Sequence, residues 1–460
     1  MERPDYFLVD LPAEAECRPE LVSAAAQTLK RNRELYLRDR PTRHTIADFC
    51  EVASRWLDPS YPLRQEALDL GAAKTGFSGP TLERGLDSWF QQINPASLDA
   101  LIRQELGHSQ RLDGFSAGDA ERSGARMSLA NGPELLVHFA AGNLPIPAFQ
   151  SILLGLLARA AQFVKCASHA AALPRLFAHS IYEVSPKLGA CLELAAWPGG
   201  DEPLESALFA EADCVTATGS DEALASIRRR LPPQVRFLGY GHRISFAFVA
   251  HEIARDPEAA AQTAHEAARD ISAWDQQGCL SPHVIYVENG GRRLSEDFAG
   301  RLADAMACRE QVEPRGPLSV SAAAAIAARR AFYEVRAAAS PDTIIWFSPG
   351  STAWTVVYEA DPRFQPSCLN RFVYVKGVSD LVEALQAADS VRTCTSAVGL
   401  AAPAARQVPL ATSIARWGAT RICPIGQMQN PPISWRHDGR PALADLLTWS
   451  DWETPSTYAH

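Results

Sequence analysis

The sequence predicts an α/β protein in which a helical N-terminal region precedes two successive α/β blocks. Three observations point there. Residues 1 to about 115 read as mostly helical, with loops around "LDPSYPLR" and "TGFSGP". Beyond them, strand-like and helix-like stretches alternate along the chain. The strand-like runs are nearly continuous in apolar residues, as parallel strands covered on both faces must be.

In the first block "LLVHFAA" reads as a strand, "PAFQSILLGLLARA" as a helix, "QFVKCA" as a strand and "AALPRLFAHSIYEV" as a helix. "CLELAAW", "PLESALFAEA", "DCVTAT" and "DEALASIRRRL" continue the alternation. The second block begins near "RISFAFVA". Asp256 is placed to cap a helix, with Pro257 at its first position and Glu258 beside its positive end. Apolar residues at 260, 264, 267, 268 and 271 line one face of that helix. It runs toward the turn "DQQGC", after which "HVIYV" resumes a strand. Helix "SAAAAIAARRAFYEV", strands "TIIWF", "WTVVY" and "RFVYVKG", and helix "DLVEALQAA" follow. The tail, from "ATRICPIGQ" onward, is loop-rich and dense in tryptophan.

Bulk properties exclude several classes of function. A chain of 460 residues with 47% hydrophobic content can bury cores for two or three domains. A formal net charge of -9 argues against general nucleic-acid binding, which needs concentrated positive charge. The N-terminus "MERPDYFLVD" lacks the basic segment and apolar run of a secretion signal. The apolar stretch "SILLGLLARAAQFV" is interrupted by Arg159 and Gln162 and is too short to span a bilayer. The ten cysteines form no CxxC pair and no Cys/His cluster with zinc-like spacing, so no metal site is expected. Scattered thiols suit a reducing cytoplasm, where most serve as small hydrophobes. A cytoplasmic location is therefore expected.

Cys279 differs from the other cysteines by its setting, a polar turn after Gly278 where a thiol is reachable. No GxGxxG fingerprint follows a strand in the first block, so the usual glycine loop for a dinucleotide is missing. Two other strand ends could serve. In "FVKCAS" a strand leads to Lys165 and then Ser168; in "TATGSDEAL" a strand ends at Thr218, Gly219 and Ser220 as a helix begins. The start of that helix offers free N–H groups and the positive dipole end to a phosphate, although such a turn is commonly just an N-cap.

These pieces resemble, in chain order, the aldehyde dehydrogenase superfamily. "FAAGNLP" matches its asparagine loop, "FVKCAS" its strand-end lysine, "TATGS" its phosphate-side turn and "DQQGC" its nucleophile loop. More narrowly, "TGFSGPTLERGLDSWF", "GYGHRISFAFV", "AWDQQGCLSP" and the ending "WGATRICPIGQ…WRHDGRPALADLLTW" resemble the long-chain acyl-CoA reductase family, the reductase component of the bacterial bioluminescence fatty acid reductase complex. The resemblance covers nearly the whole chain. It implies an aldehyde dehydrogenase-like fold: helical residues 1–115, a Rossmann-type NADP-binding domain at 116–242, a catalytic α/β domain at 243–425 and a C-terminal tail at 426–460.

It also implies roles. Cys279 matches the nucleophile, and Asn143 the side-chain donor of an oxyanion hole completed by the Cys279 N–H. Lys165 and Ser168 match the positions that hold the adenine ribose, and Thr218, Gly219 and Ser220 lie on the cofactor phosphate side. NAD-preferring hydrolytic relatives carry a glutamate after the serine; here His169 follows, which favours NADPH. Leu238 falls where the general-base glutamate of hydrolytic members would stand. Without a base to activate water, an acyl-cysteine would persist until hydride arrives. What lowers the thiol's pKa is not visible; His242 and His283 are the nearby histidines, and Asp275 reads as the anchor of the turn. The expected function is NADPH-dependent reduction of a long-chain acyl-CoA or acyl-protein to a fatty aldehyde, in luminescence or another aldehyde-requiring route. The resemblance further implies a homo-oligomer and an acyl-protein synthetase partner. The alternatives are a CoA-acylating or hydrolytic aldehyde dehydrogenase of shorter substrates, and a catalytically idle acyl-carrier-binding scaffold.

Overall fold

Continuous apolar runs become strands wherever helices can cover both faces of a sheet. In the computed structural model, which describes residues 5–12, 15, 17–289 and 293–453, the first block supplies six strands, and the second to the fifth follow that rule. The six are β1 (Arg126–Asn131), β2 (Leu135–Phe139), β3 (Ala161–Cys166), β4 (Leu192–Ala196), β5 (Cys214–Thr218) and β6 (Arg236–Tyr240). Strands β2 to β6 form a wholly parallel five-stranded sheet in the order β4-β3-β2-β5-β6. The chain winds outward from β2 in one direction, then returns to β5 on its other side. Such a reversal opens a crevice at the carboxyl ends of the strands, where ligands of doubly wound sheets bind.

The second block supplies β7 (Ile244–Val249), β8 (Pro282–Glu288), β9 (Thr343–Phe347), β10 (Thr355–Glu359), β11 (Phe372–Val378), β12 (Thr395–Ala401) and β13 (Arg421–Pro424). Their sheet runs β13-β12-β7-β8-β11-β10-β9, parallel throughout except for the antiparallel edge strand β9. Every residue of β8 is buried, which explains its unbroken apolar signal. The helix Pro257–Ser272 starts as its sequence requires: Asp256 accepts N–H bonds from Glu258 and Ala259 at 2.9 and 3.0 Å. The helix Leu294–Val312 and strands β6, β12 and β13 are additions that the alternation of the sequence does not announce.

The chain folds as two units whose parts are not contiguous. One comprises residues 1–69, 86–241 and 432–460; the other comprises 70–85 and 242–431. Most of the N-terminal helical region and of the tail, separate segments in the linear reading, thus belong with the five-stranded sheet, whereas residues 70–85 belong with the second unit. Helix Pro19–Tyr36 adds Val22, Ala26 and Leu29 to the core formed by β2, β3 and β5. The tail is held by charge: Glu105 accepts the N–H groups of Ala442, Leu443 and Ala444, and Arg236 donates to the carbonyls of Leu446 and Leu447. It ends in β14 (Thr448–Glu453), antiparallel to β1. Tyr240 and the tail's "WRHDGR" meet in this unit: His437 stacks on Tyr240 at 4.6 Å, and the Arg440 guanidinium lies 4.8 Å from the same ring centroid. Residues 1–4 of the helical region and 454–460 of the tail lie outside the described residues.

Candidate active site

The residues singled out from the sequence fall into two groups, one in each unit. In the first unit they cluster at the carboxyl ends of β2, β3 and β5, beside the point where the winding reverses. Phe139, Lys165 and Ala217 lie in one row across these strands. Lys165 is only 6% exposed, with its ammonium 5.9 Å from the Phe139 ring centroid. Burial pulls its pKa below the ordinary lysine value, while Glu205 pulls the other way. That carboxylate is itself engaged by Arg230 and by the Gly200 N–H. An anion beside Lys165 would restore the charge stabilisation that burial removes.

Asn143 lies in the exposed bend after β2, just ahead of the helix Ile146–Leu157. Ser168 and His169 are exposed in the turn after β3. The two turns touch: a Cβ on Gly142 would come within 2.9 Å of the His169 imidazole, so glycine is what lets that ring lie against the Asn143 bend. At the end of β5, Gly219 N–H donates to the Tyr240 carbonyl, and Ser220 caps the helix Asp221–Arg230 by accepting the Ala223 N–H at 3.3 Å. That helix opens with the carboxylates of Asp221 and Glu222, which offset its positive end. Of the two strand ends, the one that carries Lys165 thus holds a buried cation, whereas the helix start holds two carboxylates.

Cys279 lies in the second unit, partly exposed, between the helix Pro257–Ser272 and β8. All ten cysteines are free thiols, and those of Cys166, Cys191 and Cys214 are buried in the first unit. Three consecutive residues before it, Trp274, Asp275 and Gln276, are left-handed, with φ of 52°, 50° and 64°. Opposite them Leu369, Asn370 and Arg371 are left-handed too, at 60°, 57° and 67°. Each such residue costs about 1–2 kcal/mol relative to ordinary helix geometry, so the surroundings must impose it.

A buried ionic clasp does so. Arg371 is fully buried and grips Asp275 Oδ1 with two nitrogens at 2.8 and 2.7 Å. Its remaining donors go to Glu310 Oε2 at 2.8 Å and the Glu313 carbonyl at 2.7 Å. Asp275 Oδ2 also accepts the Gly316 N–H at 2.9 Å. Gln276 completes the splice between β8 and β11: it donates to the carbonyls of Pro282 and Phe372 and accepts the Phe372 N–H, all at 2.9 Å. Gln277 donates to Asn370 at 2.8 Å. The Trp274 indole packs flat against Gly85, where a Cβ would fall 2.1 Å from its ring. This explains why "TLERGLDSWF" and "AWDQQGC" occur together in one sequence.

Asp275 thus anchors the turn through Arg371, a partner that the sequence does not announce. His283 is buried on β8, its Nδ1 accepts the Ser367 N–H at 3.0 Å, and burial, with help from His242, pushes its pKa down to about 4. It is neutral at pH 7 and supplies no positive charge to the thiol. Leu238 is buried in β6 opposite Thr216, an apolar side chain with no base to offer. His251, Glu252 and Glu288 bring potential metal ligands together, and the cation among them is Arg406, at 2.7 Å from both carboxylates.

The family model for acyl-CoA reductase (LuxC) matches residues 37–449, almost the full length. The chain belongs to the acyl-CoA reductase (LuxC) family. Within that family it is similar to the long-chain acyl-protein thioester reductase of Aliivibrio fischeri, at 25% identity over 418 residues, covering 88% of this chain and 81% of that protein. The corresponding reductase of Vibrio harveyi is 23% identical over 432 residues, covering 92% of this chain and 85% of the other. Among solved structures, an NAD-dependent benzaldehyde dehydrogenase from Corynebacterium glutamicum superposes with a TM-score of 0.69 at 12% identity, over 95% of this chain and 90% of that one. A bifunctional proline utilization A protein gives 0.70 at 18% identity; this chain spans 95% of itself but only 45% of that longer protein. The aldehyde dehydrogenase-like fold expected from the motifs is therefore the fold of this family member. No helix among its described residues is long and apolar enough to cross a membrane.

Proposed function

We propose that this family member reduces a long-chain fatty acyl thioester, acyl-CoA or acyl-protein, to the aldehyde through an acyl-Cys279 intermediate, using NADPH. The observation that carries the reading is the Cys279 turn, a strained and rigidly clasped loop that presents a partly exposed thiol. Strain of this kind concentrates where chemistry is done. As thiolate, Cys279 adds to the thioester carbonyl carbon and the carrier thiolate leaves, so one thioester replaces another. Asn143 is assigned the side-chain donor to the oxygen on which negative charge develops, with the Cys279 N–H as the second donor. Lys165, Ser168 and the Thr218-Gly219-Ser220 turn of the first unit would hold a reduced nicotinamide cofactor, which when bound would supply the hydride. When the reduced acyl group departs as aldehyde, the Cys279 thiolate is the leaving group. The apolar Leu238 leaves the acyl-cysteine without a carboxylate base for hydrolysis at that position, which favours reduction over hydrolytic aldehyde oxidation.

The residues of the first unit fit a phosphorylated dinucleotide. Lys165 supplies a buried cation at the crevice, Ser168 and the Thr218-Gly219-Ser220 turn line its strand ends, and no carboxylate follows Ser168. Lys165→Ala should weaken NADPH about ten- to a hundredfold and NADH less, as loss of a charge-assisted contact implies. Titration of both cofactors decides this, and an unchanged NADPH/NADH ratio removes Lys165 from the 2′-phosphate. Asn143→Ala should slow single-turnover acylation by roughly 10²–10³ while leaving cofactor affinity intact. Near-normal acylation in that variant would exclude the oxyanion role. The reading as a whole is tested by aldehyde formation from acyl-CoA of graded chain length with NADPH or NADH. A partner that supplies activated acyl groups, assembly into a homo-oligomer and a cytoplasmic location complete the proposal.

A further inference from the structure

The nucleophile needs a group that favours its thiolate, and His283, being neutral, does not provide one. A cation stands elsewhere in the same sheet. Cys279, in the turn ahead of β8, is linked through Ser245 on β7 to Ala397 on β12, whose partner on β13 is Arg421. The fully buried Ser245 hydroxyl donates to the Cys279 carbonyl at 2.7 Å and accepts the Ala397 N–H at 3.1 Å. Ala397 is in turn the register partner of Arg421.

Arg421 is 8% exposed, and its guanidinium donates to the carbonyls of Met428 and Gln427 at 2.5 and 2.7 Å. These two acceptors are neutral carbonyls, and the Asp270 carboxylate also acts on the guanidinium. The loop that carries them is fixed on both sides. Asp270 accepts the N–H groups of Gly426 and Met428, and Gln429 donates to the Ser281 hydroxyl at 2.7 Å, two residues beyond Cys279. The loop thus holds Arg421 and ties back to the nucleophile segment itself.

We propose that Arg421 is the cation that holds Cys279 in its thiolate form, acting across these linked strands. The inference rests on reading Cys279 as the nucleophile. Burial lowers the pKa of Arg421, and Cys423, Asp270 and Cys279 are the groups whose negative charge opposes that lowering. Burial also pushes the Cys423 thiol up to about 11, so it stays protonated, and pushes Asp270 up to about 7 against its backbone hydrogen bonds. On the β8 side, His283 is neutral and faces His242. The Asp275 carboxylate is engaged by Arg371. A positive group beside a cysteine lowers its pKa from about 8.5 into the range of roughly 3.5–7.5.

The test is the pH profile of Cys279 alkylation by iodoacetamide in the full chain, read by peptide mass spectrometry with exposed Cys308 as internal reference. Arg421→Lys keeps the charge and N–H donors for the loop carbonyls; Arg421→Gln removes the charge but keeps an N–H2 donor, and Arg421→Met removes both, so the glutamine variant separates charge from anchoring. At pH values well below the wild-type inflection the neutral variants should alkylate about tenfold more slowly than wild type, with the inflection raised by about one pH unit. The lysine variant should keep the wild-type inflection to within about half a unit. Equal slowing in the lysine and neutral variants, or unchanged profiles in all of them, would mean that Arg421 only anchors the 426–429 loop, and would overturn the proposal. Transfer of a labelled acyl group onto wild-type Cys279 is measured in parallel. Its absence removes the nucleophile reading, whereas the charge dependence of alkylation decides Arg421 independently.

Discussion

Cys279→Ala is expected to abolish acyl-enzyme formation and aldehyde production together. The thioester cannot form on a methyl group, and no other residue of "DQQGCLSP" has a sulfur to replace it. The other nine cysteines should be replaceable singly with far smaller losses. Cys166, Cys191 and Cys214 are buried, and burial pushes their thiols up to about 12, 12 and 11, so they remain protonated and inert. Intact-mass measurement after incubation with labelled acyl-CoA provides the readout. Full labelling of Cys279→Ala would move the intermediate elsewhere and withdraw the assignment.

Arg371→Met is expected to destabilise the second unit by about 3–5 kcal/mol, because removing one member of a buried ion pair leaves the other charge uncompensated. Asp275 would lose a hydrogen bond and a second ion-pair contact, and Glu310, the Glu313 carbonyl and the Ser272 carbonyl would lose one hydrogen bond each. The left-handed turns at 274–276 and 369–371 would lose the clasp that opposes their conformational cost. Cys279 reactivity should fall even at temperatures where the variant remains folded, since the turn that presents the thiol would relax. Urea melts give the stability change. A double-mutant cycle with Asp275→Asn isolates the pair, and a coupling of at least about 1 kcal/mol is expected. A loss below about 1 kcal/mol with unchanged alkylation would show that the turns hold without the clasp.

The two predictions differ in how readable their residues were. Cys279 stands in a motif, and a motif is local: a polar turn with glycine before the cysteine, between a capped helix and an apolar strand. The helix start at Asp256 and Pro257 was equally legible, because capping is satisfied within a few residues of chain. So were the buried parallel strands, whose unbroken apolar runs follow from cover on both faces. Arg371 was not legible. An arginine in "LNRFVY" carries no sign that it will be fully buried, because its partners Asp275 and Glu310 come from segments far away in the sequence.

The sequence by itself determined the fold class, the order of most strands and helices, the family and the candidate nucleophile. The fold class and the order of elements are written in local patterns of apolarity and capping; the family and the candidate nucleophile follow from the resemblance carried by motifs such as "DQQGC". Only the tertiary structure decided that most of the N-terminal helical region and of the tail join the five-stranded sheet, where Glu105 and Arg236 hold the tail's backbone. It alone placed Lys165 in a buried row beside Phe139, left His283 neutral, paired Asp275 with Arg371 and linked Arg421 through Ala397 and Ser245 to the Cys279 turn. The physical reason is the same in each case. The energy of a charge depends on its burial and its partners, and both are fixed by strands and loops that meet only when the chain has folded.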